Sequence, residues 1–275
     1  MNDRPGKSPS GNGPDLRKES GAIAVSLSQP TGLVLSAIPP NDSGNSSRIL
    51  AQQCRKPVSR GNGKREFILS KDARFTVLRD DVHHIVSESY FYKTEPYYTI
   101  LNHETEGRKV QPSSGAVLDA YVVPVCLERS RLAGIPVCEW GISQGYVPLP
   151  AIIYGLNYFA TSSDYFVVHD TARAKEAIGH ITNKGKYPFC YQKIAEDAEI
   201  CSCPAIFGKT VESGASVAQI AGEVYRLFAL PLVRMNMVRT GSGFALSSLS
   251  PMPYSKLSDG ERSLLLAYLK HQEFL

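Results

Sequence analysis

Few residues in this 275-residue chain combine reactive chemistry with meaningful spacing. Cys201 and Cys203 are the one close cysteine pair, and C-x-C spacing can serve a soft metal. No second pair lies nearby, and on a strand the same spacing simply puts both thiols on one face. The six cysteines, at 54, 126, 138, 190, 201 and 203, show neither zinc-ribbon spacing nor a secreted framework, and they read as reduced, mostly buried thiols. His83 and His84 are adjacent, so a strand sends them to opposite faces and they do not share a metal. Tyr90, Phe91, Tyr92, Tyr97 and Tyr98 form an aromatic cluster suited either to stacking a planar ligand or to packing between two lobes.

Charge is unevenly distributed. Residues 1–65 hold 10 Lys and Arg against 4 Asp and Glu, whereas the rest holds 20 against 22. The basic segment is rich in Gly, Ser, Pro and Asn, with only short apolar patches at Ala22 to Val25 and Gly32 to Ile38. Such a segment cannot bury enough surface to offset its ordering entropy, so disorder is expected over 1–65. It carries no aromatic residue for base stacking, which disfavours a nucleic-acid partner. No apolar run approaches the roughly 20 residues of a membrane-spanning helix, and no signal-peptide core opens the chain. A cytoplasmic protein without a membrane partner is the expectation.

Local patterns then place the elements. Arg74 to Leu78 and His84 to Val86 read as short strands. Ala116, Val117, Ala120 and Tyr121 give a helical face from Ser113, broken near Pro124, resuming to Ala133 and ending at Gly134. Strands are expected around Trp140, at Ala151 to Tyr154, Asp164 to Val168 and Phe189 to Ile194, with a helix capped by Asp170 among them. Gly208 suits a hairpin turn within Ala205 to Val211. Val217, Ile220, Ala221, Val224, Leu227 and Phe228 recur at helical spacing, with Ser216 and Gln219 placed for a capping box and Pro231 as a stop. Leu232 to Val238 and Phe244 to Leu249 then form a hairpin about Thr240-Gly241-Ser242-Gly243. Ser258 and Glu261 form the capping box of a last helix.

This order of elements resembles the ATP-grasp superfamily, in particular its RimK-like branch, over roughly Lys109 to Pro253. Ser113 to Val137 is similar to the helix leading into an Ala-Gly-Ile-Pro entry strand. Pro150 to Val168 is similar to the strand, phosphate loop and strand of the small lobe. Phe189 to Ile200 is similar to the hinge strand that meets the adenine, and Val217 to Pro253 to the helix and hairpin that carry the magnesium ligands. The resemblance implies an α/β (α+β) two-lobed ATP-grasp-like domain over 113–275. It would be preceded by a short, truncated α/β segment at 66–112 and the disordered basic tail at 1–65.

It also implies chemistry: activation of a carboxylate by ATP, attack by an amine, and Mg²⁺ held by hard oxygens. Residue by residue, nucleotide contacts fall on Tyr154, Asn157, Gln192, Lys193, Ile194, Glu199 and Asn236. No catalytic residue or metal ligand is assigned. Val122 to Val125 replaces the phosphate lysine, the loop Leu156 to Ser163 contains no glycine, and Lys193 and Cys201 stand where an acid and an arginine are expected. Asn236 and Leu246 to Ser248 occupy the magnesium-ligand positions, and Val224 to Ser258 contains no Asp or Glu. ATP therefore remains an allowed cofactor, and Mg²⁺ one without its carboxylate ligands. The expectation is a degenerate ATP-grasp-like protein that binds a nucleotide, a peptide or a partner without ligation. An active carboxylate–amine ligase with a rewired metal site is the alternative, and a partner subunit or second copy is allowed to complete the cleft.

Overall fold

The chain divides into two units, Met1–Asn62 and Gly63–Leu275. In the computed structural model, residues 68–211, 213–241 and 243–270 are described. The disorder expected over 1–65 lies outside them, as does Cys54.

The first strands, β1 (Arg74–Arg79) and β2 (Val82–Ser87), pair antiparallel. Asp80 and Asp81 join them, both at positive φ, as a two-residue hairpin turn matching the strand twist requires. Helix α1 (Glu95–Thr105) follows and carries both Tyr97, which packs with Phe91 against the cluster holding Tyr90, and Tyr98, which is exposed. Pro96 in its first turn supplies a preset φ and lacks only an N–H that would have no helical partner. Strand β3 (Val110–Gln111) then completes a three-stranded sheet beside β2. His83 and His84 do part: His84 is buried, while His83 stacks on His103 at 4.5 Å.

Helices α2 (Ser114–Tyr121) and α3 (Val123–Leu132) are separated at Val122, whose backbone is extended. The Ser113 hydroxyl caps α2 by accepting from Ala116 N–H, and Pro124 opens α3. Next comes a four-stranded sheet in the order β4-β7-β5-β6, formed by β4 (Trp140–Ser143), β5 (Ala151–Gly155), β6 (Tyr165–Val168) and β7 (Phe189–Lys193). Its pairs are all antiparallel. Helix α4 (Thr171–Ile181), capped by Asp170 as expected, covers one face, where Ala151, Ile153, Val168 and Phe189 meet Ala174, Ala177 and Ile181. By strand alternation the opposite face carries Ile152, Tyr154, Cys190 and Gln192.

A second antiparallel sheet, ordered β10-β9-β8, is built from β8 (Glu199–Ile206), β9 (Leu232–Thr240) and β10 (Gly243–Ser250). Helix α5 (Ala215–Phe228) packs on it through Val217, Ile220, Ala221, Val224 and Phe228, against Met235, Met237, Leu246 and Leu249. The helix starts one residue before Ser216, so Gly214 is its N-cap and the expected Ser216–Gln219 capping box does not form. Ala229, left-handed at φ 52°, ends it ahead of Pro231. The expected hinge strand is also shorter: β7 stops at Lys193, and Glu199 and Ile200 belong to β8 in the other sheet. Cys201 and Cys203 are free thiols that share one face of β8, packed against the apolar core. The last helix, α6 (Asp259–Leu269), has its Ser258–Glu261 capping box and joins Val77, Val86 and Tyr254 in a separate apolar cluster.

Gly208 sits in a two-residue turn with Phe207, at φ 74° and 48°, closed by reciprocal hydrogen bonds between Ile206 and Lys209. A Cβ there would lie 2.7 Å from the Tyr225 Cβ, which has no freedom to swing away. Gly208→Ala should therefore destabilise the chain by about 2–3 kcal/mol, from the left-handed penalty plus overpacking. A lowered urea midpoint at unchanged slope would register it.

Candidate functional site

The inner faces of the two sheets meet directly. The hydroxyls of Tyr154 on β5 and Ser247 on β10 share a hydrogen bond at 2.7 Å, and Tyr154 also donates to the Ser248 Oγ at 3.3 Å. With Tyr154 donating to Ser248, Ser247 is the donor in the shorter bond. Gln192 on β7 donates through Nε2 to the Ser247 carbonyl at 2.9 Å. Ser248 accepts from Asn236 Nδ2 at 2.9 Å and donates to the Ser162 carbonyl at 3.0 Å.

Two consecutive serines reach this junction because the β9–β10 register shifts between Leu246 and Ser248. A bulge bends the strand and redirects a side chain that regular alternation would send away. Around the polar contacts lies an apolar seal of Val123, Leu127, Ile152, Cys190 and Val238. Burial drives the Tyr154 phenol far above its ordinary pKa despite both serine hydroxyls, and pushes the Cys190 thiol up to about 12. Both groups are neutral in the physiological range.

The seven residues named from sequence divide sharply. Tyr154, Gln192 and Asn236 come together in the buried junction, at 1 %, 0 % and 4 % exposure. Ile194 packs at its edge, its N–H donating to the Pro150 carbonyl. Lys193 and Glu199 are elsewhere, in ion pairs with Glu139 at 2.5 Å and with Arg239 at 3.0 Å. Asn157 holds its own loop: Nδ2 donates to the Ile181 carbonyl at 2.6 Å, and Oδ1 accepts from the N–H groups of Phe159 and Ala160. Sequence reasoning missed Ser162, Ser247 and Ser248 as members. The only signal was the hydroxyl pair Ser247-Ser248 at positions where neutral groups had already been noted.

Beside the junction lies a cavity of about 300 Å³. One wall is the α2–α3 break, with Val117, Leu118, Tyr121 and Val123; the other is the β5–β6 loop, with Leu156 and Ser162; Phe91 and Tyr92 close a third side. Tyr92 and Tyr158 meet edge to face at 6.1 Å, and the Lys93 ammonium sits 3.6 Å above the Tyr158 ring.

No protein-family model matches the chain, nor does any curated protein. Among solved structures, a RimK domain ATP-grasp protein from Sphaerobacter thermophilus aligns at 14 % identity and TM-score 0.48, over 64 % of this chain and 75 % of that one. The D-alanine-D-alanine ligase of Coxiella burnetii gives 12 % and 0.45, over 64 % and 65 %. The ATP-grasp ligase PsnB, solved with a phosphomimetic variant of its minimal precursor, Mg and ADP, gives 16 % and 0.46, over 64 % and 67 %. Two antiparallel sheets, each backed by a helix, follow one another in the order the sequence resemblance implied.

The residues of the junction do not fit a magnesium nucleotide held as the resemblance implies. The β9–β10 hairpin has no carboxylate, the Asn236 amide is engaged by Ser248, and Gln192 is wholly buried. Among the described residues, no group of three or more His, Cys, Asp or Glu side chains converges as a metal site would require. No helix among them is long and apolar enough to cross a membrane.

The junction's contribution to stability is measurable. Tyr154→Phe leaves Ser247 Oγ without the phenol oxygen and should cost about 1–2 kcal/mol in urea unfolding. Lys193→Met removes only an exposed ion pair and should stay within about 0.5 kcal/mol of the parent. Equal losses in the two variants would contradict the unequal roles assigned here.

Proposed function

We propose that this protein is a degenerate member of the RimK-like branch of ATP-grasp proteins, which binds a ligand beside the β5–β6 loop without joining a carboxylate to an amine. The observation that carries this reading is the direct hydrogen bonding of Tyr154 and Gln192 to Ser247 across the two inner sheet faces. In the resemblance, that is where the nucleotide would lie. Residue chemistry supports the same reading, since phosphate transfer requires charge stabilisation from cations and a metal. The α2–α3 break offers Val122, Val123, Pro124 and Val125, and the loop Leu156 to Ser163 has no Lys or Arg.

Of the ligand classes considered, a small molecule or peptide group suits the cavity better than a nucleotide. Its walls are mostly apolar and include no charged side chain. We further place the protein in the cytoplasm, a reading in keeping with its five described cysteines, all free.

Thermal unfolding with saturating ATP or ADP, each with and without Mg²⁺, tests the reading. A ligand at 100 times its Kd stabilises a native chain by about 2.7 kcal/mol, several degrees in Tm for a domain of this size. No nucleotide should produce such a shift. A rise of several degrees that depends on Mg²⁺ would overturn the proposal in favour of a working ligase site.

A further inference from the structure

Away from the junction, sulfur is concentrated in one place. The chain has 4 methionines and 6 cysteines, and two of each stand together on β8 and β9. The strand register sets Cys201 opposite Met237 and Cys203 opposite Met235. Side chains two apart on a strand share a face, and directly opposed residues share it as well, so all four lie on the same side of the sheet. Their β-carbons mark a rectangle of about 5 Å across the strands by about 7 Å along them. This is the side covered by α5: Met235 and Met237 are buried in the core with Ile220 and Leu246, and Cys201 and Cys203 pack against that core while keeping some exposure. The junction lies on the opposite face, reached from β9 by Asn236 and Val238.

Two thiols and two thioethers in one block form a donor set. Thiolate and thioether ligands together favour Cu(I), whereas Zn²⁺ takes four ligands drawn from thiolate, imidazole and carboxylate. Among the described residues, no group of three or more His, Cys, Asp or Glu offers such a zinc set. Access is from the side, because both thiols stand on β8, the outermost strand in the order β10-β9-β8. The thioethers complete the set from within, in apolar surroundings that limit the access of water to a bound metal. Uptake of one Cu(I) by two thiols releases two protons, transfers no electron and leaves the group with one net negative charge. Arg239, paired with Glu199, stands one position further along the same face, and its positive charge already acts on Cys201.

We propose that Cys201, Cys203, Met235 and Met237 form a site for a single soft monovalent cation of the Cu(I) type. The site is independent of the reading given to the junction, since it lies on the other face of β9 and uses none of the same residues.

The test uses the reduced full chain, titrated with Cu(I) without oxygen against the chelator bicinchoninate. One Cu(I) per chain should be held tightly. Alkylation by N-ethylmaleimide, read by mass spectrometry, then locates it. Bound Cu(I) should slow modification of Cys201 and Cys203 at least about tenfold, by occupying the thiolates that react. Cys138, the other part-exposed thiol among the described residues, should react at an unchanged rate. Zn²⁺ should give no such protection.

Two variants test the ligands themselves. Cys201→Ser combined with Cys203→Ser should abolish the tight equivalent. Met235→Leu combined with Met237→Leu roughly conserves volume and should retain the fold, yet weaken Cu(I) at least about tenfold, because hydrocarbon donates nothing to a soft cation. Urea midpoints check the fold of both, and the alkylation pattern of the parent chain decides where a variant does not fold. Equal protection of Cys138, protection by Zn²⁺ as strong as by Cu(I), a tight equivalent that survives the serine pair, or unchanged affinity in the leucine pair each overturns the proposal and leaves the four sulfurs as core packing.

Discussion

The hydroxyls of Tyr154 and Ser247 meet between two sheets at a point where neither has access to water. That contact, the Gln192 bond and the apolar seal around them constrain how the two faces meet. A buried polar group costs free energy unless it is paired, so the faces must approach closely enough for a hydrogen bond and exclude solvent around it. Ser248 extends the junction by collecting Asn236 from its own sheet and the Ser162 carbonyl from the opposite loop. The β5–β6 loop is thereby tied at Ser162 to one sheet and, through Asn157, to the end of α4. A loop anchored at both ends forms a fixed wall, and the cavity beside it owes its shape to that anchoring.

The junction is not fully satisfied. Gln192 Oε1, buried in the same sheet, has no partner while its Nε2 is bonded. The geometry thus favours a neutral interior with a few hydroxyls and amides over one with ions. A half-satisfied charged network in the same place would cost far more than these neutral orphans, because the penalty for an unpaired buried charge exceeds that for an unpaired amide or hydroxyl.

How much of this could be read beforehand depended on sequence distance. Elements stabilised by neighbouring residues were legible: the Ser113 and Asp170 caps, the Ser258–Glu261 box and the β9–β10 hairpin appear where their local signals put them, and the break expected near Pro124 falls two residues earlier, at Val122. Local signals also misled. Ser216 and Gln219 fit a capping box in spacing, but α5 begins at Ala215 and places Ser216 inside its first turn. Glu199 follows Lys193 closely in sequence, yet the chain changes sheets between them. The junction itself was beyond local reading, since Tyr154 and Ser247 are 93 positions apart and the bulge that turns Ser247 inward is a property of strand pairing. Residue types at Asn236 and Leu246 to Ser248 announced the missing charge; only the fold shows what fills its place.

Two absences in the sequence are physically one. Magnesium and triphosphate together require cations facing the phosphates and carboxylates facing the metal, and either set alone would leave a buried charge uncompensated. This chain lacks both: no Lys or Arg at Val122 to Val125 or along Leu156 to Ser163, and no Asp or Glu from Val224 to Ser258. Removing only the carboxylates would leave unpaired cations between the sheets and prevent the apolar seal of Val123, Ile152 and Val238 from closing. Removing only the lysines would leave repelling acids. The faces meet on neutral hydroxyls, and the space beside them lies at the α2–α3 break, lined by aromatic and aliphatic side chains.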